Sequence, residues 1–291
     1  MIKKVVKLCC VVALILVGGC LGAQTRQVIV EDGITFSSGA DYELKLDIAY
    51  PSKGSKPHPG LVFIHGNWEY WTRGMCAAAI RDAADRGYVS ITIDHRPIHT
   101  KVEGKPKYPF PALICDVKNA VRWMRTNAAK YNLDPRRIGA VGFSSGAYLA
   151  LMAGLTGDGS IQCPPLGDSS VPCDLQAVVN LSGITDVVDK YDASYPDMMV
   201  DLLGGTPQEL PALYHEASPV NHIGSNSPPI LTIHGTADPY IPLREAELLD
   251  QRMREAGRQH TLVVIQNGGH SDRSYDSRVW TFLGAVLHPE R

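Results

Sequence analysis

The stretch RIGAVGFSSGAYLALMAGL (residues 137–155) changes character at its centre. Arg137 to Phe143 is a short apolar run of strand type. Gly146 to Leu155 is rich in Ala, Leu and Met, good helix formers, with apolar residues on every side. Between them Gly142-Phe143-Ser144-Ser145-Gly146 fits G-x-S-x-G with Ser144 in the middle. So short a pattern also arises by chance in glycine-containing chains, so its weight comes from the strand that leads in and the helix that leads out. That context predicts a sharp strand-to-helix turn that lifts a hydroxyl clear of the sheet. The small residues Gly142, Gly146 and Ala147 let strand and helix pack closely around it.

Working outward, strand-like runs recur at 42–50, 61–66, 88–94, 137–143, 175–183, 229–235 and 261–266. Helical stretches at 75–86, 111–131, 146–156, 243–256 and 274–287 lie between most of them. The alternation predicts an α/β fold with a mostly parallel central sheet, right-handed crossovers and helices on both faces. Ligands bind such sheets beyond the carboxyl ends of the strands. The segment 184–228 interrupts the alternation with Pro, Gly and short amphipathic pieces. It is long for a connection and reads as a cap or pocket wall, with a purely structural insertion as the alternative. With no internal repeat or long low-complexity linker, 24–291 reads as one domain carrying this insertion.

The chain has 291 residues, 44% hydrophobic and 20% charged, enough for a substantial core. Its formal net charge of −2, with no basic block to track a phosphate backbone, argues against nucleic acid as a partner. At the start, Lys3, Lys4 and Lys7 precede an apolar run, Leu8 to Val17, too short for a comfortable membrane span and followed by small residues. Residues 1–23 therefore read as an export signal, placing the mature chain in a bacterial periplasm, on a membrane or outside the cell. The end of that signal, LVGGC (16–20), resembles a lipobox, which would make Cys20 a lipidation site and its acyl chains the sole membrane anchor. A plain secretory cut near Gly22 or Ala23 is the alternative.

Cys163 and Cys173 flank a loop-like segment, and in an oxidising compartment a disulfide between them is expected. Cys76 and Cys115 fall in helical stretches and read first as buried small apolar residues. No C-x-x-C or H-E-x-x-H occurs, so neither a metal nor a cofactor is expected.

An activated serine needs a base within hydrogen-bond reach, a carboxylate to orient that base, and donors aimed at the developing oxyanion. HGTADPYIP (234–242) puts Asp238 on the loop that closes one strand, and QNGGHSD (266–272) puts His270 on the loop that closes the next. Among ten histidines, His270 alone combines a glycine loop, a late position and a preceding strand. Asp186, after the run ending at Gly183, is the rival acid. His65 reads as a shaper of its loop, His95 and His234 as structural, and Arg96 with Asp116 as an internal pair tying a helix to a loop. FIHGNWEYW (63–71) follows a strand, and the amides of Asn67 and Ser145 are the expected oxyanion hole, with Trp68 a third donor. Trp68, Tyr70 and Trp71 either pack under this loop or present a platform for a sugar or aryl ring.

Ser144, Asp238 and His270 in this chain order resemble the α/β-hydrolase superfamily, and more narrowly the secreted bacterial esterases near the hormone-sensitive-lipase and feruloyl/acetylxylan-esterase groups. The resemblance spans about residues 28–287 and includes LKLDIAYP (44–51), the stretch 110–150, EASPVNHI (216–223) and PPILTIHGTADPYIP (228–242). Two motifs depart. The oxyanion loop reads His65-Gly66-Asn67-Trp68 where similar enzymes carry H-G-G-G or H-G-G-x-W, and the turn reads G-F-S-S-G where many carry G-x-S-A-G. The second change is expected to matter little, because Ser145 would act through its main-chain N–H. The resemblance implies an exported serine hydrolase that cleaves small esters or esterified carbohydrates, carrying acetyl or feruloyl groups, through an acyl-enzyme. A general short-chain lipase or esterase and a prolyl-oligopeptidase-like peptidase are the alternatives.

Overall fold

The computed structural model describes residues 27–52, 56–66, 68, 73–161, 163–164, 170–193, 196–270 and 277–288. Cys20 with the rest of the expected export signal, and Asn67, Tyr70 and Trp71 of the expected oxyanion loop, lie outside the described residues.

The elements run β1 (Val28–Ser38), β2 (Glu43–Pro51), β3 (His58–Ile64), α1 (Ala77–Asp85), β4 (Val89–Ile93), a small hairpin of β5 (Lys101–Val102) and β6 (Lys105–Pro106), and α2 (Ala112–Thr126). They continue with β7 (Leu133–Phe143), α3 (Ser145–Thr156), β8 (Ala177–Leu181), α4 (Val187–Ala193), α5 (Pro196–Leu203) and α6 (Pro211–Ala217). The chain then completes β9 (Ile230–Gly235), α7 (Leu243–Glu255), β10 (His260–Ile265) and α8 (Ser277–Leu287).

Eight strands form one sheet in the order β1-β2-β4-β3-β7-β8-β9-β10. From β4 onward every pairing is parallel, while β1 and β2 join antiparallel at one edge. The antiparallel β1 is absent from the sequence reading. Its side chains are mostly half-buried, as suits an edge strand, and its polar positions hide the alternation that marks strands with one dry face.

Alternation along the central strands separates two cores. In β3, Val62 and Ile64 enter the larger core, with residues of α2, α3 and α7, whereas Leu61 and Phe63 enter the smaller one, under α1 and α8. Helix α3 is buried on nearly every side between sheet, α2 and the insertion, which explains its all-round apolar sequence. The insertion at 184–228 folds into α4, α5 and α6 and a 3-10 turn, Pro219–His222. It is fastened to the body by the Phe110 N–H donating to Leu202 O at 2.8 Å and the Tyr148 hydroxyl donating to Ala217 O at 3.0 Å.

The disulfide joins Cys115 of α2 to Cys163, not Cys163 to Cys173. Cys173 instead sits in a polar nest. Its amide donates to Asp158 Oδ2 at 3.0 Å, its thiol hydrogen-bonds to Gly157 O, and Arg122 pairs with the same Asp158 at 2.7 Å. Burial, reinforced by the Asp158 carboxylate, pushes this thiol up to about 12, so it remains a protonated donor. Cys76 is buried in the smaller core. Arg96 does tie the chain end of β4 to α2, through a bridge of 2.8 Å to the fully buried carboxylate of Asp116.

Candidate active site

Ser144 occupies the turn between β7 and α3 with φ 56° and ψ −123°, a backbone that only glycine adopts without strain. The turn is held by the Ser144 N–H donating to Leu181 O at 2.9 Å and by Ser144 O accepting from the Ala147 and Tyr148 amides. Its glycines are dictated by contact. A Cβ on Gly142 would lie 2.2 Å from Gly146 O, and one on Gly146 would lie 2.2 Å from Ile64 O. No other residue lets β3, β7 and α3 meet this closely.

Two neighbouring loops bring the remaining groups over Ser144. At the end of β9, Gly235 touches the loop after β10 so tightly that a Cβ there would lie 2.2 Å from Gly268 O, and the Ala237 N–H donates to the same Gly268 O at 2.9 Å. This contact sets Asp238 beside His270. His270 Nδ1 donates to Asp238 Oδ2 at 2.7 Å, and His270 Nε2 lies 2.9 Å from Ser144 Oγ. A carboxylate can only accept, so the proton is on Nδ1 and Nε2 accepts from the serine hydroxyl.

Asp238 is fully buried at its side chain. Burial raises its pKa, but the His270 bond and the amides of Ile241 and Tyr240 outweigh this and hold the carboxyl below its ordinary range. His234, beneath it, has a proton affinity depressed by burial, and its Nε2 donates to Ile241 O at 2.8 Å, bracing the acid loop. The imidazole of His270 lies between Phe143 and Tyr240, with ring centroids 5.1 Å and 5.2 Å away.

The rival acid, Asp186, serves a different purpose. Its Oδ1 accepts from the Val188 N–H at 2.8 Å and caps the first turn of α4. His65 and His95 stack with centroids 4.4 Å apart at the ends of β3 and β4, both buried.

Two further residues stand differently from the sequence reading. Ser145 is 1% exposed, and its Oγ accepts the Trp68 N–H at 3.2 Å, so its side chain and not only its main chain is engaged. That bond commits the Trp68 amide to Ser145. The Trp68 indole is 4% exposed and packs on Tyr148 at 5.6 Å, which makes it wall and support, not an open platform. The Ser145 N–H, at the first position of α3, has no intrahelical acceptor and lies at the positive end of the helix.

A cavity of about 470 Å³ opens above Ser144 and His270. Phe143, Ile184, Met198 and Ile241 give it apolar walls, and Lys190 of α4 and Tyr240 stand at its side. Ile184, Lys190 and Met198 all come from the insertion.

The BD-FAE family model matches residues 46–253, which is most of the chain. The chain belongs to the BD-FAE family. Its fold is that of the α/β-hydrolase serine esterases of the hormone-sensitive-lipase-like type. Esterase LipC of Mycobacterium tuberculosis is 31% identical over 226 residues, covering 74% of this chain and 53% of LipC. The chain thus spans about half the length of that relative. A truncated carbohydrate esterase from gut microbiota superposes with a TM-score of 0.78 at 27% identity, covering 91% of this chain and 98% of that one. A bifunctional GH43-CE protein of Bacteroides eggerthii gives a TM-score of 0.75 at 26% identity, covering 90% of this chain and 38% of its own.

Proposed function

We propose that this BD-FAE family member is an exported serine hydrolase of carboxylic esters that removes short-chain or aryl acyl groups, acetyl or feruloyl, from carbohydrate. The observation that carries the reading is the unbroken relay from Ser144 Oγ through His270 to Asp238, with bonds of 2.9 and 2.7 Å, at the floor of a small-molecule-sized cavity.

In the first half-reaction Ser144 Oγ attacks the ester carbonyl carbon while its proton passes to His270 Nε2. The carbonyl π electrons move onto oxygen, where the Ser145 amide and the Asn67 amide receive the negative charge. Collapse breaks the bond to the alcohol oxygen, which takes the proton from Nε2 and leaves. In the second half-reaction Nε2 takes a proton from water, the hydroxide displaces Ser144 from the acyl carbon, and the proton returns to the serine. Asp238 stays ionised throughout and orients the imidazole.

The printed names of the two carbohydrate-esterase structures support the sugar side of the reading. The disulfide supports export, since such bonds persist in oxidising compartments. Membrane contact is assigned to the acyl chains on Cys20. Among the described residues no helix is long and apolar enough to cross a membrane.

The test is a panel of p-nitrophenyl esters of increasing chain length, acetylated and feruloylated sugars, and peptidyl amides, with a serine-directed phosphonate as control. Turnover of short-chain and sugar esters, abolished by the phosphonate, is expected. A preference for chains of about ten or more carbons would instead identify a lipase, and cleavage of peptidyl amides alone a peptidase.

A further inference from the structure

In ester cleavage the group that protonates the departing alcohol must sit on the alcohol's side of the scissile bond, and here that group is His270 Nε2. A side chain that touches the His270 ring within the cavity is therefore placed to meet the alcohol. Tyr240 touches it, packing edge-on to the imidazole with centroids 5.2 Å apart and an interplanar angle of 66°. It lines the same cavity as Ser144, yet it is 52% exposed.

This ring is open but not loosely mounted. The Tyr240 N–H donates to Asp238 Oδ1 at 2.9 Å, its carbonyl accepts from Lys190 Nζ of α4, and Pro239 fixes the backbone just before it. A large aromatic on a clamped backbone gives up little freedom when something binds to it. The other aromatics of the cavity are enclosed to a greater degree, Trp68 at 4% exposure being the extreme.

We propose that Tyr240 is the platform of an alcohol subsite and selects cyclic, hydroxyl-rich alcohols, that is, sugar rings. An amphipathic aromatic face takes the apolar C–H face of a pyranose, while the half-open setting leaves the sugar hydroxyls in water. A long alkyl alcohol would gain more from an enclosed groove than from one exposed ring. The inference rests on the carbohydrate-esterase reading above and names the residue that recognises the sugar alcohol.

The experiment compares two esters with one acyl group, ethyl acetate and a monoacetylated methyl xylopyranoside, on the full chain and on its Tyr240→Ala and Tyr240→Trp variants. The measured quantity is the ratio of kcat/KM for the sugar ester to kcat/KM for ethyl acetate. Both esters share the acyl group and the attack by Ser144, so the part of any His270 disturbance that is common to the two cancels in this ratio. Tyr240→Ala should lower it by about 3- to 10-fold, the range of a single aromatic contact, and Tyr240→Trp should keep it. An unchanged ratio in Tyr240→Ala would overturn the platform while leaving the esterase reading intact. A wild-type chain that cleaves ethyl acetate but not the sugar acetate would overturn the platform and the carbohydrate reading together. Failure on both esters with cleavage of peptidyl amides would overturn the esterase reading itself.

Discussion

The hydroxyl of Ser145 accepts the amide of Trp68 across 3.2 Å, joining the loop after β3 to the serine turn. Trp68 needs such a hold, because its φ of 57° is left-handed and an aromatic residue enters that region at a cost. The second support is the contact of its indole with Tyr148. Ser145→Ala removes the acceptor and leaves a buried N–H, and should lower kcat by about 3- to 10-fold, the worth of one net hydrogen bond, with a smaller change in KM. Steady-state kinetics on p-nitrophenyl acetate check this. A kcat within experimental scatter of wild type would return Ser145 to a main-chain role.

On the proposed mechanism Ser144, His270 and Asp238 act as one unit, so their substitutions should not add. Ser144→Ala and His270→Ala should each cost at least about 10⁴-fold in kcat, and the double variant little more. Asp238→Asn loses the acceptor for Nδ1–H and should cost somewhat less, on the order of 10³- to 10⁴-fold. Asp186→Asn should leave the rate nearly unchanged, because that carboxylate caps α4 at the Val188 amide. If it proved the more damaging carboxylate change, Asp238 would not be the acid.

The meeting of Ser144, Asp238 and His270 was legible in the sequence because each follows an apolar strand directly, and the parallel sheet then brings strand ends together whatever their separation in the chain. What depended on a particular long-range contact was not legible. The hydroxyl of Ser145 meets its partner 77 residues away, and Cys115 meets Cys163 across a separation of 48. Local spacing favoured Cys173 for the bridge, but nothing in the spacing registers that Asp158 and Arg122 build a nest for its thiol. Tyr240 stands in a motif that was read only for its aspartate. An aromatic two residues after the acid was the available signal.

The Cys115–Cys163 bridge closes a loop of 48 residues that contains the whole serine turn. Loop-closure entropy assigns such a link about 4 kcal/mol, and the usual measured range is about 2–4 kcal/mol. Reduction, or the pair Cys115→Ala and Cys163→Ala, should therefore lower the melting temperature by several degrees, read by calorimetry with and without reductant. The Cys173→Ala variant should retain the effect of reductant in full. If reductant shifted only a protein that retained Cys173, the bridge would be the other one.

Acid should unfold the protein from the ends of β3 and β4. Burial, with His65 as the next influence, pushes the pKa of His95 down to about 3, and burial lowers that of His65 as well. Both rings are neutral in the folded state, whereas in the unfolded chain each takes up a proton near pH 6.5. The unfolded state thus binds more protons below that value, and stability is complete above pH 6.5 and lost as the pH falls toward 3. The loss approaches about 1.4 kcal/mol per pH unit for each imidazole within its window. His65 immediately precedes Gly66, whose backbone lies against Ser144, so this loss falls beside the candidate active site. Chemical denaturation between pH 7 and pH 4 measures the slope, and His95→Gln, which cannot take up a proton, should flatten it. A slope equal in wild type and His95→Gln would place the acid-sensitive group elsewhere.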